Sequence, residues 1–318
     1  GEGVVARRRP GEGAGVAELR VAFFDLREKD TNSELNTFNR RHQYVAIANV
    51  YRQDFLFHGY TAQASVHFSF DQGCTYYDTN GSIVRPAPIG KVRAHDVNVG
   101  YLGWAGDGHM GRWNLSHAAY VALGRDDFNG IAGRPVNIRG EMAAVEVSYD
   151  RDWLRYKASL FWASGDGAAK DGKATGFDSI VDNVNFVGGP FSYFVRQGFN
   201  LAGTALNVKQ RFSLLPDIRT SKTEGQANFV NPGLRLAGLG ADADLTPKVR
   251  LFANANYVQF DDVDALRDGE QDVARQDTFA SGVSRRIGRV VASAFFVRRF
   301  GDRQVSFEHG FDGLHVDR

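Results

Sequence analysis

Basic side chains at alternate positions of several apolar segments are the residues of this sequence best suited to chemistry. They are Arg20, Arg112, Arg155, Lys157, Arg235 and Arg250. Guanidinium and ammonium groups that share one surface hold anions through charge-assisted hydrogen bonds, which replace the water that the anion loses. Acidic side chains such as Glu18 and Glu146 share the same alternation. Two interpretations follow: an anion-binding surface, or a polar surface whose charges pair with one another.

The remaining motifs do not predict catalysis or a bound cofactor. Asp166, Asp171 and Asp178 offer oxygen ligands of the kind that Ca²⁺ prefers, but their spacing is not that of an EF-hand loop. Residues 238–243 resemble part of a dinucleotide-binding glycine pattern, yet they lead into a Leu-Thr-Pro turn rather than a helix. No Gly-x-Ser-x-Gly elbow occurs. The sequence therefore predicts no enzyme, no cofactor and no metal, with the three aspartates as the only metal candidates.

Residues 60–70 show how a strand would position polar side chains. Tyr60, Ala62, Ala64, Val66, Phe68 and Phe70 alternate with Thr61, Gln63, Ser65, His67 and Ser69. Because successive strand side chains point to opposite faces, this segment has one apolar and one polar face. It is also long enough to be a tilted strand that crosses a bilayer, which needs about 9–11 residues. The polar face, with His67, would then point inward.

The same alternation recurs along most of the chain. Clear cases lie at 112–123, 153–164 and 249–257, and weaker ones at 16–26, 95–104 and 141–149. In each segment the apolar set is predicted to face outward and the polar set inward. At 95–104 the apolar set is Val97, Val99 and Tyr101. His117 is the exception, because it falls on the predicted outward face.

The connections between these segments alternate between short and long. Short turns are predicted at 53–59, 105–111, 150–152 and 243–248, and long loops at 27–42, 71–94, 124–140 and 165–199. Soluble domains rarely contain so many long loops. Outer-membrane barrels, in contrast, place short turns on the periplasmic side and long loops outside. The pattern predicts an all-β fold, namely a single antiparallel transmembrane β-barrel of about 12–16 strands with short periplasmic turns and long extracellular loops.

Composition agrees with this prediction and excludes other classes. The mean hydropathy is −0.33, and no apolar run approaches the 18 or so residues of a membrane helix. The formal net charge of +1 excludes a basic field that would attract nucleic acid. Cys74 is the single cysteine, so the chain has no internal disulfide.

The sequence predicts one outer-membrane barrel domain over residues 1–318. About thirteen candidate strands are present, whereas single-chain bacterial barrels use even numbers. The chain begins at Gly1 without an apolar signal segment, and residues 307–318 do not end in an alternating strand with a terminal aromatic residue. These features indicate a chain that is truncated at one or both ends, or one with an irregular tail.

The long segment 165–199 is predicted to narrow the interior. Four glycines precede residue 180, and a stretch rich in aromatic residues follows. We expect Phe186, Phe191 and Tyr193 to anchor this constriction loop against the barrel wall, because aromatic side chains at this density are rarely left without a partner. The simpler alternative is a flexible external loop.

Two segments resemble a known family. Residues 163–178 contain Ser-Gly-Asp, then Asp-Gly, then Phe-Asp, and this order is similar to the loop after a barrel strand in the alginate-export porins and their relatives. Residues 245–257 resemble a generic porin hairpin, in which a Leu-Thr-Pro turn leads into an aromatic-ended strand. The resemblance implies a monomeric outer-membrane barrel that passes an anionic polysaccharide or a small solute.

Together the patterns predict a channel in the bacterial outer membrane for the passive passage or export of small or anionic solutes. The expected partners are the lipid bilayer, lipopolysaccharide and a small anionic or saccharide solute, and not nucleic acid. One alternative is a structural barrel that sheathes or anchors a periplasmic or outer-membrane partner protein. Another is a soluble β-sandwich that binds carbohydrate, which would have to bury Leu154, Tyr156, Leu160 and Trp162.

Overall fold

The computed structural model describes residues 17–29, 38–77, 81, 83–85, 91–180, 226–247, 249–265, 288–300 and 303–315. All fourteen elements within these ranges are β-strands, which confirms the all-β class. In this described part of the chain, no helix combines the length and the apolar character needed to span a membrane. The strands are β1 (Ala17–Lys29), β2 (Phe38–Gln53), β3 (Tyr60–Asp71), β4 (Tyr76–Tyr77), β5 (Ile83–Arg85), β6 (Val97–Met110), β7 (Trp113–Asn129), β8 (Arg134–Arg151), β9 (Leu154–Ala163), β10 (Lys173–Ala174), β11 (Leu234–Thr246), β12 (Val249–Gln259), β13 (Gly288–Phe300) and β14 (Arg303–His315).

Eleven of these strands form one antiparallel sheet in the order β1-β2-β3-β6-β7-β8-β9-β11-β12-β13-β14. The short strand β10 pairs with β8 in parallel, and β4 and β5 form a separate two-stranded sheet. The strands of the large sheet follow one another in chain order. Each is joined to the next by a hairpin turn or by a longer connection, and the short strands β4, β5 and β10 lie within such connections. The sheet is open: β1 and β14 are its two edges among the described strands.

Short and long connections alternate, so they collect at opposite ends of the sheet. Two-residue turns separate β6 from β7 and β8 from β9. Such hairpin turns need left-handed backbone conformations, which Gly111 (φ 61°) and Asp152 (φ 55°) supply. We call this end the short-turn end. The opposite, long-loop end receives the connections 72–96, 164–233 and 260–287.

The predicted long loop at 124–140 is wrong, because β7 and β8 continue through most of it. β7 extends to Asn129 and β8 begins at Arg134. The Asn129 carbonyl oxygen accepts a hydrogen bond from the Gly133 amide at 2.7 Å, and its side-chain oxygen accepts one from the Ile131 amide at 3.0 Å. Asn129 thus closes a compact turn, and the two strands project beyond their neighbours at the long-loop end.

The two faces of the sheet differ in the way that the alternation predicts. We call the face that carries Ser65, Glu146 and Lys157 the inner face, and the face that carries Val66 and Leu160 the outer face. Cross-strand partners share a face, so the register of each pair extends this assignment from strand to strand. In β3 the predicted apolar residues Val66, Phe68 and Phe70 are exposed and the polar residues Ser65 and Ser69 are buried.

The predicted faces of β6 are wrong. Val97, Val99 and Tyr101 are 2–4% exposed and lie on the inner face, because Val97 pairs with Asp71 and Tyr101 with His67. Leu102 and Trp104 are the exposed residues of the outer face instead. The sequence could not show which face of β6 is the inner one, because β6 carries apolar side chains on both faces.

The inner face at the long-loop end is covered by a packed layer that we call the cap, defined as residues 164–180, 226–233 and 260–265. Its buried apolar residues, including Phe177, Phe229 and Val230, join those of β6, β8 and β11 in one core. Backbone hydrogen bonds link its segments: the Asp166 amide donates to the Asn231 carbonyl at 2.8 Å, and the Asp262 amide donates to the Pro232 carbonyl at 2.9 Å. The cap explains why the inner face of β6 is apolar.

The sheet curls round on its inner face. In a flat sheet β1 and β8 would lie about 24 Å apart, since five strand spacings of about 4.8 Å separate them. Phe24 of β1 and Met142 of β8 nevertheless line the same cavity, whose volume is about 530 Å³. A cavity of that volume is much narrower than the distance of about 24 Å that would separate β1 from β8 in a flat sheet. The strands between β1 and β8 therefore bend around the cavity.

Candidate functional site

The inner face near the short-turn end carries a set of charged side chains that we call the charged cluster. Its members are Glu146, Asp150, Arg155, Lys157, Asp242, Asp244 and Arg250. They come from four adjacent strands, β8, β9, β11 and β12. Side chains two residues apart on a strand point the same way, and cross-strand partners lie directly opposite. The alternation along each strand and the register between strands therefore bring the seven residues onto one surface.

Each basic residue of the charged cluster has an acidic partner. Lys157 Nζ lies 2.6 Å from Asp242 Oδ2, and Arg250 Nε lies 3.0 Å from Asp244 Oδ1. Arg155 forms a two-point contact with its cross-strand partner Asp150. Two parallel hydrogen bonds to a carboxylate are the strongest geometry available to a guanidinium group.

Hydroxyl and amide groups extend the polar surface beside the ion pairs. Ser159 Oγ donates a hydrogen bond of 2.7 Å to Glu146 Oε2. Asn114 Nδ2 donates to Ser148 Oγ at 3.2 Å and to Asp150 Oδ2 at 3.0 Å. The charged cluster thus contains four carboxylates against three basic groups. It is a mixed surface rather than a ring of unpaired cations.

Arg20 also lies on the inner face, on the edge strand β1, where it pairs in register with Asn49. Arg20 Nε is 3.0 Å from Glu18 Oε1, and its guanidinium lies 4.9 Å from the centre of the Tyr51 ring. Its charge is therefore balanced by a carboxylate of its own strand, whereas the ion pairs of the charged cluster join neighbouring strands.

Two of the residues predicted to point inward do not. Arg112 is part of the turn between β6 and β7, outside either strand, and its guanidinium lies 4.0 Å from Asp152 in the neighbouring turn. Arg235 is on the outer face, because it pairs in register with Trp162. There Arg235 Nε is 2.5 Å from Asp261 Oδ1, which also accepts a 3.0 Å hydrogen bond from Trp162 Nε1. Arg235 holds the cap to the rim of the sheet.

The three aspartates considered as calcium ligands do not converge in the described part of the chain. Asp166 is buried and accepts hydrogen bonds from Thr175, Asp171 is exposed and accepts one from the Lys173 amide, and Asp178 is buried and accepts one from the Asn228 amide. Burial raises the pKa of the Asp166 carboxyl from 3.8 to about 6. Asp166 therefore behaves as a structural residue of the cap.

A different group, His95, Asp126 and Asp127, has ligand atoms within 4.8 Å of one another. All three side chains already make hydrogen bonds within the protein. Asp126 Oδ1 is 2.7 Å from His95 Nδ1 and accepts the Phe128 amide at 3.0 Å, while Asp127 Oδ1 accepts the Asp96 amide at 2.8 Å. These contacts fasten the loop before β6 to the end of β7, and the arrangement serves the fold.

The predicted constriction residues Phe186, Phe191 and Tyr193 lie outside the described residues. The beginning of the same segment is described, and it lies on the inner face. Tyr101 Oη donates a 3.0 Å hydrogen bond to the Asp178 carbonyl, and the Tyr101 and Phe177 rings meet edge to face with 6.2 Å between their centres. The segment 177–180 is thus packed against β6.

Three residues of the charged cluster were not predicted from the sequence: Asp150, Asp242 and Asp244. A signal for two of them is present, because Asp242 and Asp244 alternate with Ala241, Ala243 and Leu245. Asp150 falls at the edge of a predicted turn, where acidic residues are common for reasons of turn geometry. Asp150 joins the charged cluster because β8 continues to Arg151, so that Asp150 is a strand residue on the same face as Glu146.

Comparison of the chain with protein-family models gives no match, and comparison with curated proteins gives none either. The chemistry of the site has to be interpreted from its own groups. Carboxylates accept hydrogen bonds, guanidinium and ammonium groups donate them, and hydroxyl groups do both. A surface with all three kinds can hold water and polar solutes without selecting one sign of charge.

Proposed function

We propose that this protein is an outer-membrane β-barrel channel through which small polar solutes, saccharides included, pass by diffusion. The observation that carries the proposal is the contrast between the two faces of the sheet. The outer face exposes large apolar side chains, whereas the inner face near the short-turn end carries the charged cluster. A soluble protein would bury the first set and expose the second.

The apolar residues of the outer face are spread over eight strands of the sheet. Each of these strands contributes at least one exposed large apolar side chain: Leu19, Val50, Phe68, Leu102, Leu123, Leu160, Leu239 and Tyr257. Contiguous exposed apolar surface of this extent is characteristic of contact with lipid or with a large partner. The alternation of apolar-out and polar-in side chains is that of a barrel strand in a bilayer.

Strand direction adds a condition for closure. In a sheet of eleven alternating strands, β1 and β14 run the same way. An antiparallel barrel built on this sheet therefore includes an odd number of further strands, which gives twelve in the simplest case. Even strand numbers are the rule in single-chain bacterial barrels.

The lining favours small polar solutes over anions alone. Every basic side chain of the charged cluster is paired with a carboxylate, and four carboxylates face three basic groups. Selective anion passage needs unpaired cationic groups. The resemblance of residues 163–178 to the alginate-export porins supports the proposed barrel architecture. It does not extend to the solute, because the paired charges of the lining favour polysaccharide anions less than small polar solutes.

The cap supports a second candidate, a structural barrel that sheathes or anchors a partner protein. Its apolar residues pack against the inner face at the long-loop end, where Phe177, Phe229 and Leu236 are buried together. A permanent plug of this kind would stop conduction without affecting insertion into the membrane.

Single-channel recording in planar bilayers tests the proposal. Protein refolded into detergent and added to one side should produce stepwise conductance increments. A variant lacking residues 170–175, which include β10, should conduct more if the cap narrows the pore. Stable insertion without any conductance, in both proteins, would contradict the channel and favour the structural barrel.

A further inference from the structure

An apolar chamber that is partly open to its surroundings lies on the inner face, away from the charged cluster. Its volume is about 530 Å³, and its walls come from six strands of the sheet and from the segment 177–180. Among the described residues that line it, none carries a formal charge. The aromatic and aliphatic walls include Phe24, Val45, Ile47, Tyr120, Met142 and Phe177. Small-molecule sites of proteins commonly occupy about 300–1,000 Å³ and have mainly apolar walls.

The walls of the chamber are held in place by specific contacts. Tyr120 lies across its strand neighbour Gly103, where an added Cβ would come within 2.1 Å of the Tyr120 ring. Only glycine allows this approach. The segment 177–180 is fixed from the other side by the hydrogen bond from Tyr101 to the Asp178 carbonyl. A preformed cavity costs a ligand little conformational rearrangement on binding.

His67 is one of the polar side chains that line the chamber, together with Ser179 and the two tyrosines Tyr101 and Tyr120. His67 Nε2 is 2.9 Å from Asn49 Oδ1, while Asn49 Nδ2 donates to Tyr51 Oη at 3.3 Å. This order of bonds puts the His67 proton on Nε2 and leaves Nδ1 as an acceptor. The ring also packs against Tyr120, with 6.0 Å between the ring centres. His67 Nδ1 has no hydrogen bond to any described residue.

We propose that the chamber binds a neutral aromatic molecule that donates one hydrogen bond, that is, a phenol. Aromatic walls favour a flat ring through edge and offset contacts. An ionised ligand would lose its hydration without gaining a charged partner. The acceptor at His67 Nδ1 selects a hydroxyl group over a carbonyl or an ether. The chamber does not depend on conduction, so a barrel that does not conduct can still bind the phenol.

Calorimetric titration of the detergent-solubilised protein with 4-propylphenol tests the proposal, with empty micelles as the blank. We expect saturable binding at one site. Met142→Trp, which fills the chamber, should weaken binding at least tenfold, whereas Leu102→Trp on the outer face should leave it unchanged. Binding no stronger than partition into empty micelles, or equal binding by Met142→Trp and the wild type, would overturn the proposal.

The hydrogen bond is tested separately, so that a misfolded Met142→Trp variant does not decide the result. The methyl ether 4-propylanisole has the same ring and chain but donates nothing. One hydrogen bond corresponds to roughly fivefold in affinity. The wild type should prefer the phenol by about that factor, and His67→Phe should bind the two compounds equally. A preference that survives in His67→Phe would refute the role of His67, and no preference in the wild type would refute the phenol class.

Discussion

Lys157 Nζ lies 2.6 Å from Asp242 Oδ2, and both side chains are largely buried on the inner face. Asp242 also faces Arg250, whose nearest guanidinium nitrogen is 3.9 Å away. One carboxylate therefore neutralises basic groups from the strands on either side of it. The anion-binding character that the sequence predicts for Lys157 and Arg250 is cancelled by a residue that the sequence analysis did not include.

Asp242→Asn should therefore shift the selectivity of the lining towards anions. The substitution keeps the shape of the side chain but removes the carboxylate that pairs with Lys157, while Arg250 keeps Asp244. The charged cluster then holds three carboxylates against three basic groups. In a salt gradient the reversal potential of the reconstituted channel should move towards anion preference. The shift should fade near 1 M salt, where the Debye length is about 3 Å.

The double variant Asp242→Asn with Lys157→Gln is the matched control, because it removes both charges and should return the reversal potential close to the native value. A wild-type channel that already prefers anions strongly would contradict the paired state of the charged cluster.

Arginine on the outer face should block membrane insertion. Val66→Arg and Leu160→Arg place a basic group where the proposed barrel meets lipid, at a cost of roughly 2–4 kcal/mol near the bilayer centre. Gln63→Arg lies on the same strand as Val66 but on the inner face, and it should be tolerated. Folding yield in liposomes measures the difference. Equal yields for all three variants would show that the outer face does not contact lipid.

Asp261 should stabilise the attachment of the cap to the sheet. Its carboxylate accepts hydrogen bonds from Trp162 Nε1 at 3.0 Å and from the Gly165 amide at 2.8 Å, and it pairs with Arg235. Asp261→Ala should lower the free energy of unfolding by about 2–3 kcal/mol, because it leaves several donors without an acceptor.

The comparison variant is Arg235→Gln. The Arg235 side chain is 62% exposed, so its loss should cost less than about 1 kcal/mol. Denaturant titration in detergent measures both variants. If Arg235→Gln destabilises the protein as much as Asp261→Ala, the ion pair rather than the two partly buried hydrogen bonds holds the cap.

The stability of the cap should depend on pH through Asp166. Its pKa rises from 3.8 to about 6 in the fold, so the folded state keeps a proton that the unfolded chain releases. Below about pH 4 both states are protonated. From about pH 4 to 7 the free energy of unfolding should fall by at most about 3 kcal/mol as pH rises through the folded pKa.

Asp166→Asn should abolish this fall, and denaturant titrations between pH 4 and 8 would measure it. The exposed neighbour Asp171, changed to Asn, should leave most of the pH dependence in place. If the free energy of unfolding falls with pH in Asp166→Asn as it does in the wild type, another titrating group causes the pH dependence.

Several features of the fold follow from local sequence alone. The faces of β3, β9 and β12 could be predicted, because a strand has a side-chain period of two and these segments alternate between polar and apolar residues over most of their length. The positions of the short turns after β6 and β8 could be predicted as well, since Gly111 and Asp152 stand where hairpin turns need left-handed backbone. The length of the first was wrong, because β6 continues to Met110 through most of the predicted turn at 105–111. These properties depend only on residues close together in the chain.

Other features depend on contacts between distant segments. Alternation separates the two faces of a strand but does not say which one is covered, so β6 was assigned the wrong way round until the cap showed what packs against Val97, Val99 and Tyr101. The position of Arg235 follows from its register with Trp162, and the pairing of Lys157 from a residue on another strand. A one-residue difference in register exchanges the faces.

The apolar chamber and the charged cluster are the clearest results of the tertiary structure. His67 was predicted to point inward from its place in an alternating strand, but its surroundings come from strands as far along the chain as β8 and from the segment 177–180. Local sequence sets the direction of a side chain relative to its own strand. Only the curl of the sheet and the register of its strands decide which other side chains it meets, because those depend on pairing between residues that are far apart in the sequence.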